Sequence, residues 1–163
     1  MKKIIYVLGI VILVILATIF YMNTSSINEE REVIIDINKL AEDIKNQKMF
    51  DDTLEIIEKD IAITNYNFNN EIIQDLVSYV STGATAEEIL VIEAKDKNSI
   101  KAIEEKIIER IKERKEAFAS YLPNEVYKLE NPVLIIKDKY IILCICNNSQ
   151  NMSEYIEKYL KTV

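Results

Sequence analysis

The residues predict an α+β chain: an N-terminal transmembrane helix followed by a small antiparallel sheet of two hairpins packed with helices. Three observations carry this expectation. An apolar run from Ile4 to Met22 contains no charge and no proline, and it is long enough to cross a ~30 Å hydrocarbon core as a helix. Apolar residues then recur at helical spacing over 34–44, 100–122 and 152–160. Two pairs of short apolar runs joined by turns, within 72–94 and 133–146, read as hairpins. Two hairpins separated by one long helix suggest an antiparallel layer covered by helices.

The first segment divides into an anchor over 1–24 and a polar tether over 25–33, leaving 34–163 as one domain. Lys2 and Lys3 precede the apolar run, whereas Glu29, Glu30 and Glu32 follow it with only Arg31 opposing them. Positive charge stays cytoplasmic, so the expected protein is single-pass, with its N-terminus inside the cell membrane and its C-terminal domain outside. Tyr6 and Tyr21 lie near the two ends of the run, where amphipathic rings favour the interface. The alternative is a cleaved secretory leader. Leaders have apolar cores of roughly 7–15 residues and small residues at the cleavage site. Here the run is longer and leaves through Phe20-Tyr21-Met22, with Thr24, Ser25 and Ser26 the available small or polar positions. No cysteine near its end offers a lipid attachment point.

The chain carries 20 Lys+Arg and 27 Asp+Glu. Setting Lys2 and Lys3 aside leaves 18 against 27, a net charge of −9 beyond the apolar run. That balance argues against nucleic acid and against an anionic bilayer surface as partners, since both recruit basic patches. Histidine is absent, which removes the usual general base near neutral pH and the commonest metal ligand. No cofactor and no metal is expected.

Along the domain, Ser26-x-x-Glu29 matches a capping box and Asp36 is a second candidate cap. Ile34, Ile37, Leu40/Ala41 and Ile44 give one amphipathic helix ending near Gln47. Phe50, Leu54, Ile57 and Ile61 continue at +4, +3 and +4, with Asp52-x-x-Glu55 resembling a cap, and predict a broken helical stretch up to the turn Asn65–Asn70. The period then changes. Ile72 to Ser81 has strand composition, Gly83 supplies a positive-φ turn, and Glu88 to Ala94 is the return strand. Asp96 to Ser99 offer caps for a long helix with its apolar face at Ile100, Ile103, Ile107, Ile111, Phe118 and Leu122, stopped by Pro123. Val133 to Ile136 and Tyr140 to Cys146 flank the turn Lys137-Asp138-Lys139. The second of these strands is apolar on both faces, the pattern of a central strand. Met152, Tyr155, Ile156, Tyr159 and Leu160 close the chain with a short helix.

The stretch Tyr79-Val80-Ser81-Thr82-Gly83-Ala84-Thr85-Ala86-Glu87-Glu88-Ile89, the long charged helix, Tyr121-Leu122-Pro123-Asn124-Glu125 and the hairpin around Lys137 to Tyr140 together resemble domain of unknown function 4358. The resemblance spans about Asp36 to Leu160. It implies a small extracytoplasmic domain of a Gram-positive bacterium. Many such proteins are lipoproteins; this chain lacks the lipidated cysteine and has the apolar helix instead, and both devices hold a domain on the same side of the membrane. The resemblance implies no activity and transfers no functional residue.

Candidate chemistry is sparse. Cys144 and Cys146 lie two apart on a strand, pointing to one face at about 6.5–7 Å, the limit of disulfide geometry. Two thiols are too few for a structural zinc site, and the pair reads as small buried hydrophobes. Glu87 and Glu88 suggest acid–base or cation chemistry, but neighbours on a strand face opposite ways; a cooperating pair needs Glu87 and a residue from elsewhere. Otherwise they are expected as a solvated hairpin end. Ser78, Ser81, Thr82 and Thr85 have no histidine to activate them. Tyr66, Tyr79, Tyr121, Tyr127, Tyr140, Tyr155 and Tyr159 suit a glycan or peptide groove, or half-buried positions with the hydroxyl at the surface.

The function expected is a membrane-anchored, non-catalytic binding or assembly module at the cell envelope. Its contact surface lies at a sheet edge or at the polar turn containing Thr82, Gly83, Thr85 and Glu87, and its partner is an envelope protein or wall component. The alternatives are a carboxylate-dependent envelope enzyme, which requires two carboxyl groups about 5–9.5 Å apart in one cleft, and a structural subunit whose helix joins a larger complex. Only Gly9 and Ala17 are small within the apolar run, so no small-xxx-small pattern supports tight helix pairing.

Overall fold

The computed structural model describes residues 12–18 and 34–162. The chain divides into two compact units, Met1–Glu32 and Val33–Val163. Within the first, residues 12–18 form a helical stretch (α1) with exposed apolar side chains. The rest of the expected spanning segment, Ile4 to Met22, lies outside the described residues, as does the Ser26-x-x-Glu29 cap. Among the described residues no helix is long and apolar enough to cross a membrane.

The second unit begins with α2, Ile37–Lys45, which buries Ile37, Leu40, Ala41 and Ile44. The Asp36 carboxylate accepts the Lys39 N–H at 3.0 Å, satisfying a donor at the helix start. The next stretch departs from expectation. Leu54–Ile57 is a strand, β1, and the helix α3 is confined to Lys59–Tyr66. The helical spacing of Phe50, Leu54, Ile57 and Ile61 is coincidental. β1 is held from a distance by antiparallel pairing, Leu54 with Ser81 through Ile57 with Ser78, and such pairing overrides weak local periodicity. Asp52 does not cap a helix; its carboxylate accepts the Thr82 N–H and hydroxyl. Asn67, left-handed at φ 51°, ends α3.

The remaining expectations hold closely. β2 is Ile73–Ser81 and β3 is Glu88–Ala94, with Gly83 at φ +96° in the turn between them. Asp96 accepts N–H groups from Asn98 and Ser99 ahead of α4, Ile100–Tyr121. An unexpected short helix, α5, covers Val126–Glu130. β4, Val133–Lys137, and β5, Tyr140–Ile145, turn at Asp138, φ 53°. Asn148 caps α6, Ser149–Leu160.

The five strands form one antiparallel sheet in the order β1-β2-β3-β5-β4. The two hairpins join through β3 and β5, from Glu88 opposite Ile145 to Glu93 opposite Tyr140. β5 is thereby central, and all six of its residues are buried. Alternation along the strands feeds two cores. One lies under α2 and α6 and contains Leu40, Ile44, Ile89, Val91, Ile142 and Cys144. The other lies under α3, α4 and α5 and contains Leu90, Ile92, Ile103, Ile107, Leu129 and Leu143. Fully burying an Ile or Leu contributes about 1.5–3 kcal/mol, so both faces drive folding.

Candidate functional site

The β2–β3 turn delivers two adjacent carboxylates into the protein. Glu87 and Glu88 are 0% and 1% exposed. The expected solvated hairpin end is therefore overturned: the turn is capped by α5 and the chain preceding β1, and these elements bring the charges that make burial tolerable. The strand alternation holds, and the two carboxylates reach different clusters.

Glu87 meets Lys128, a buried residue of α5. The Lys128 Nζ lies 3.0 Å from Glu87 Oε1, from Asp51 Oδ2 and from Glu125 Oε2. Its three protons match these three acceptors. Burial opposes its charge, but the hydrogen bonds it donates to Glu87, Asp51 and Glu125 prevail and raise its pKa. Lys128 is therefore a permanent cation and not a nucleophile or base at neutral pH. Glu87 also accepts the Asp51 N–H at 2.9 and 3.0 Å, the Asp52 N–H at 2.9 Å and the Thr85 hydroxyl at 3.1 Å. Asp51 accepts the Asn147 side-chain amide at 2.6 Å. Its pKa is lowered by Lys128 first and Asn147 second.

The same groups immobilise the turn. Asp52 Oδ2 accepts the Thr82 N–H at 3.0 Å and hydroxyl at 2.7 Å, which lowers the Asp52 pKa. Glu125 accepts the Ala86 N–H at 2.9 Å, and the Ser81 hydroxyl donates to the Thr85 carbonyl at 2.6 Å. Of the four residues expected as a contact surface, Thr82 and Gly83 are exposed, together with Ala84, while Thr85 and Glu87 are buried beneath them. The arrangement is a polar turn held rigidly over an ion cluster.

Glu88 enters the opposite core. It accepts the Tyr66 hydroxyl at 2.8 Å and pairs closely with Arg114, with Arg110 at 3.6 Å. Burial first, and then Glu88, pushes the Tyr66 pKa well up, so its phenol stays a donor. Arg110 lies over the Tyr66 ring, 4.5 Å from its centroid, and donates to the Asn65 carbonyl at 2.9 Å, occupying an acceptor at the end of α3. The two arginines, four apart on α4, form a clamp between that helix, α3 and β3.

Asp51, Arg110, Arg114 and Lys128 were not singled out by sequence reasoning, and Glu125 entered only as part of the family resemblance. For Arg114 there was a signal: it occupies the gap between Ile111 and Phe118 in the apolar face of α4. Lys128 carries no such mark, being one lysine in a five-residue helix. Cys144 and Cys146 are free and buried, as expected for small core residues. Tyr66 and Tyr140 are buried, Tyr121 and Tyr127 exposed. Tyr155 and Tyr159 line a shallow groove of about 260 Å³ with Lys158 and Thr162. A groove of about 300 Å³ runs between β4 and α6, lined by Val133, Ile135, Ser149 and Ser153 among others. Among the described residues no group of three or more Asp, Glu or Cys side chains is arranged to hold a metal ion.

A family model described as a domain of unknown function (DUF4358) matches residues 44–146. Both ion clusters fall inside that span. No curated protein and no solved structure matches the chain.

Proposed function

The chain belongs to the family of domains of unknown function DUF4358, and from that premise we propose that it is a membrane-anchored, extracytoplasmic binding module of the cell envelope, with the exposed turn Thr82–Gly83–Ala84 as its contact surface. The observation that carries the reading is the way the turn is held. Asp52 accepts the Thr82 N–H and Glu125 the Ala86 N–H just after the turn, and Glu87 ties the same segment to Lys128 and to the backbone at Asp51 and Asp52. A surface ordered before binding loses less conformational entropy on contact. The donors and acceptors of the cluster are spent within the chain, which suits support of a surface better than chemistry on a substrate.

The anchor rests on the residues of the first segment. Ile4 to Met22 is apolar and uncharged, with lysines before it and glutamates after it, which favours a spanning helix with the domain outside. The test is photocrosslinking in intact cells. A photoreactive amino acid replaces Ala84, and in a control chain it replaces exposed Lys101 on α4. The expected outcome is a discrete envelope adduct from position 84 and none from position 101. Equal labelling from both positions, or none from 84, removes the turn as the contact surface.

A further inference from the structure

β4 is an open edge of the sheet. It pairs with β5 on one side, from Val133 opposite Cys144 to Lys137 opposite Tyr140, and among the described residues nothing pairs with its other side. One bond fixes the direction of its backbone groups. The Ala94 N–H donates to the Lys139 carbonyl at 2.8 Å. Antiparallel bonding alternates sides along a strand, so Tyr140, Ile142 and Cys144 turn their backbone groups to β4. Their partners there are Lys137, Ile135 and Val133. Leu134 and Ile136 therefore aim their N–H and C=O groups away from the sheet, a template for another strand. Pro132, with no N–H, and Asp138, left-handed at φ 53°, bound this stretch.

Beside the edge runs the groove between β4 and α6. Its α6 side is formed by Ser149, Gln150 and Ser153, two of them small. Gln150 and Ser153 donate to Glu154 and Glu157, which are exposed one turn further on. The groove thus has an acidic wall, while Val133 and Ile135 give it an apolar floor. The occupant that fits is an extended apolar strand carrying a cation on the α6 face. β4 is itself such a strand: Val133, Ile135 and the exposed Lys137 share one face.

We propose that β4 pairs with the β4 of a second copy of this chain, antiparallel and centred on Ile135, so that one sheet runs through both copies. In this register Leu134 bonds to the second copy's Ile136, and Ile136 to its Leu134. Moving the centre to Leu134 sets Ile136 against Pro132, and moving it to Ile136 sets Leu134 against Asp138, so the other matched registers lose half of these bonds. Ile135 meets its own copy across the two-fold axis. Lys137 comes beside the second copy's Val133 and enters the groove with the acidic wall. The contact is self-complementary, as a two-fold dimer requires. The opposite edge is not. The Ser81 N–H donates to the Glu87 carbonyl at 3.1 Å, so by the same alternation Leu54 and Ile56 face outward, and pairing β1 with itself sets Glu55 directly against Glu55 of the second copy. Pairing depends on concentration, so a dilute chain keeps the β4 edge open. The inference is independent of the contact surface proposed above.

The test uses the full chain in detergent. Sedimentation should give two copies per particle, falling to one on dilution. Facing residues of a non-hydrogen-bonded pair have Cα atoms about 4.5 Å apart, within disulfide range. Under mild oxidation Ile135→Cys should therefore cross-link two copies at least about tenfold faster than Glu55→Cys on the other edge. The unsubstituted chain, whose own cysteines are buried, is the blank. Adding Ile136→Pro, which removes an outward N–H and spares the β5 ladder, should return Ile135→Cys to the slow rate. Lys137→Glu, at an exposed position, should raise the dilution midpoint about tenfold, as an attraction becomes a like-charge contact. One copy per particle at every concentration overturns the proposal. So do equal cross-linking from the two edges, cross-links between one edge and the other, or an unchanged midpoint in Lys137→Glu. The midpoint decides if the cysteine variant fails to fold.

Discussion

Lys128 shows what a single buried charge demands. It touches three carboxylates at 3.0 Å, and a buried pair is strongly destabilised when one partner is removed. Lys128→Met should lower the unfolding free energy of the chain by about 3–5 kcal/mol, read from denaturant midpoints. The double change Lys128→Met with Glu87→Leu should recover part of that loss, because Glu87 no longer leaves a buried charge. Additive losses would show that the pair is not energetically coupled. Gly83 tests a different physics. A Cβ there meets nothing within 4 Å, but φ is +96°, so Gly83→Ala carries backbone strain alone and should cost about 1 kcal/mol. A neutral result would mean that the turn relaxes. Glu87 was legible as a residue of interest and illegible as a buried one, since its partner lies 41 positions away.

At the scale of elements, position in the sheet outweighs composition. β4 and β5 are both rich in isoleucine, yet β5 is central and wholly buried while β4 is an edge with Ile136 41% exposed. Ile142→Ala should cost about 2–5 kcal/mol through lost burial and a residual cavity, and Ile136→Ala less than about 1 kcal/mol. Similar losses from the two would mean that the edge is covered in the folded chain. β5 was recognisable as central because it is apolar on both faces. β1 was not recognisable as a strand. Its Leu54 and Ile57 satisfy a helical spacing with Phe50 and Ile61, and only pairing with β2, which follows α3, decides otherwise. α5 escaped for a related reason: five residues are too few to show a period.

For the whole molecule, the ion cluster predicts how stability follows pH. Asp51 and Asp52 have lowered pKa values in the fold. Their contribution is present above the unfolded value near ~3.9 and is lost as pH falls through the folded value. Lys128 has a raised pKa. Its contribution is complete below ~10.4 and is lost only as pH rises through the higher folded value. Thermal melts should therefore hold a plateau from about pH 5 to 9 and fall on both sides. In Lys128→Met the alkaline fall should be smaller; an unchanged alkaline limb would assign it to other groups. The proposed anchor makes a separate prediction. Protease added to intact protoplasts should digest the domain while a cytoplasmic control survives. Protection until lysis would place the domain inside and reverse the orientation argued from Lys2 and Lys3.

By itself the sequence determined the α+β class, the two hairpins, α2, α4, α6 and the central place of β5, because periodicity, caps and turn residues act within a few positions of one another. Tertiary structure alone decided that Leu54–Ile57 joins the sheet as an edge, and that Glu87 and Glu88 are buried in separate ion clusters. It also decided that Thr82 is pinned by Asp52. The reason is distance along the chain. Lys128 and Asp51 are 77 residues apart, and Asn147 and Asp51 are 96 apart, so no local pattern records their meeting; only the folded chain brings these side chains together.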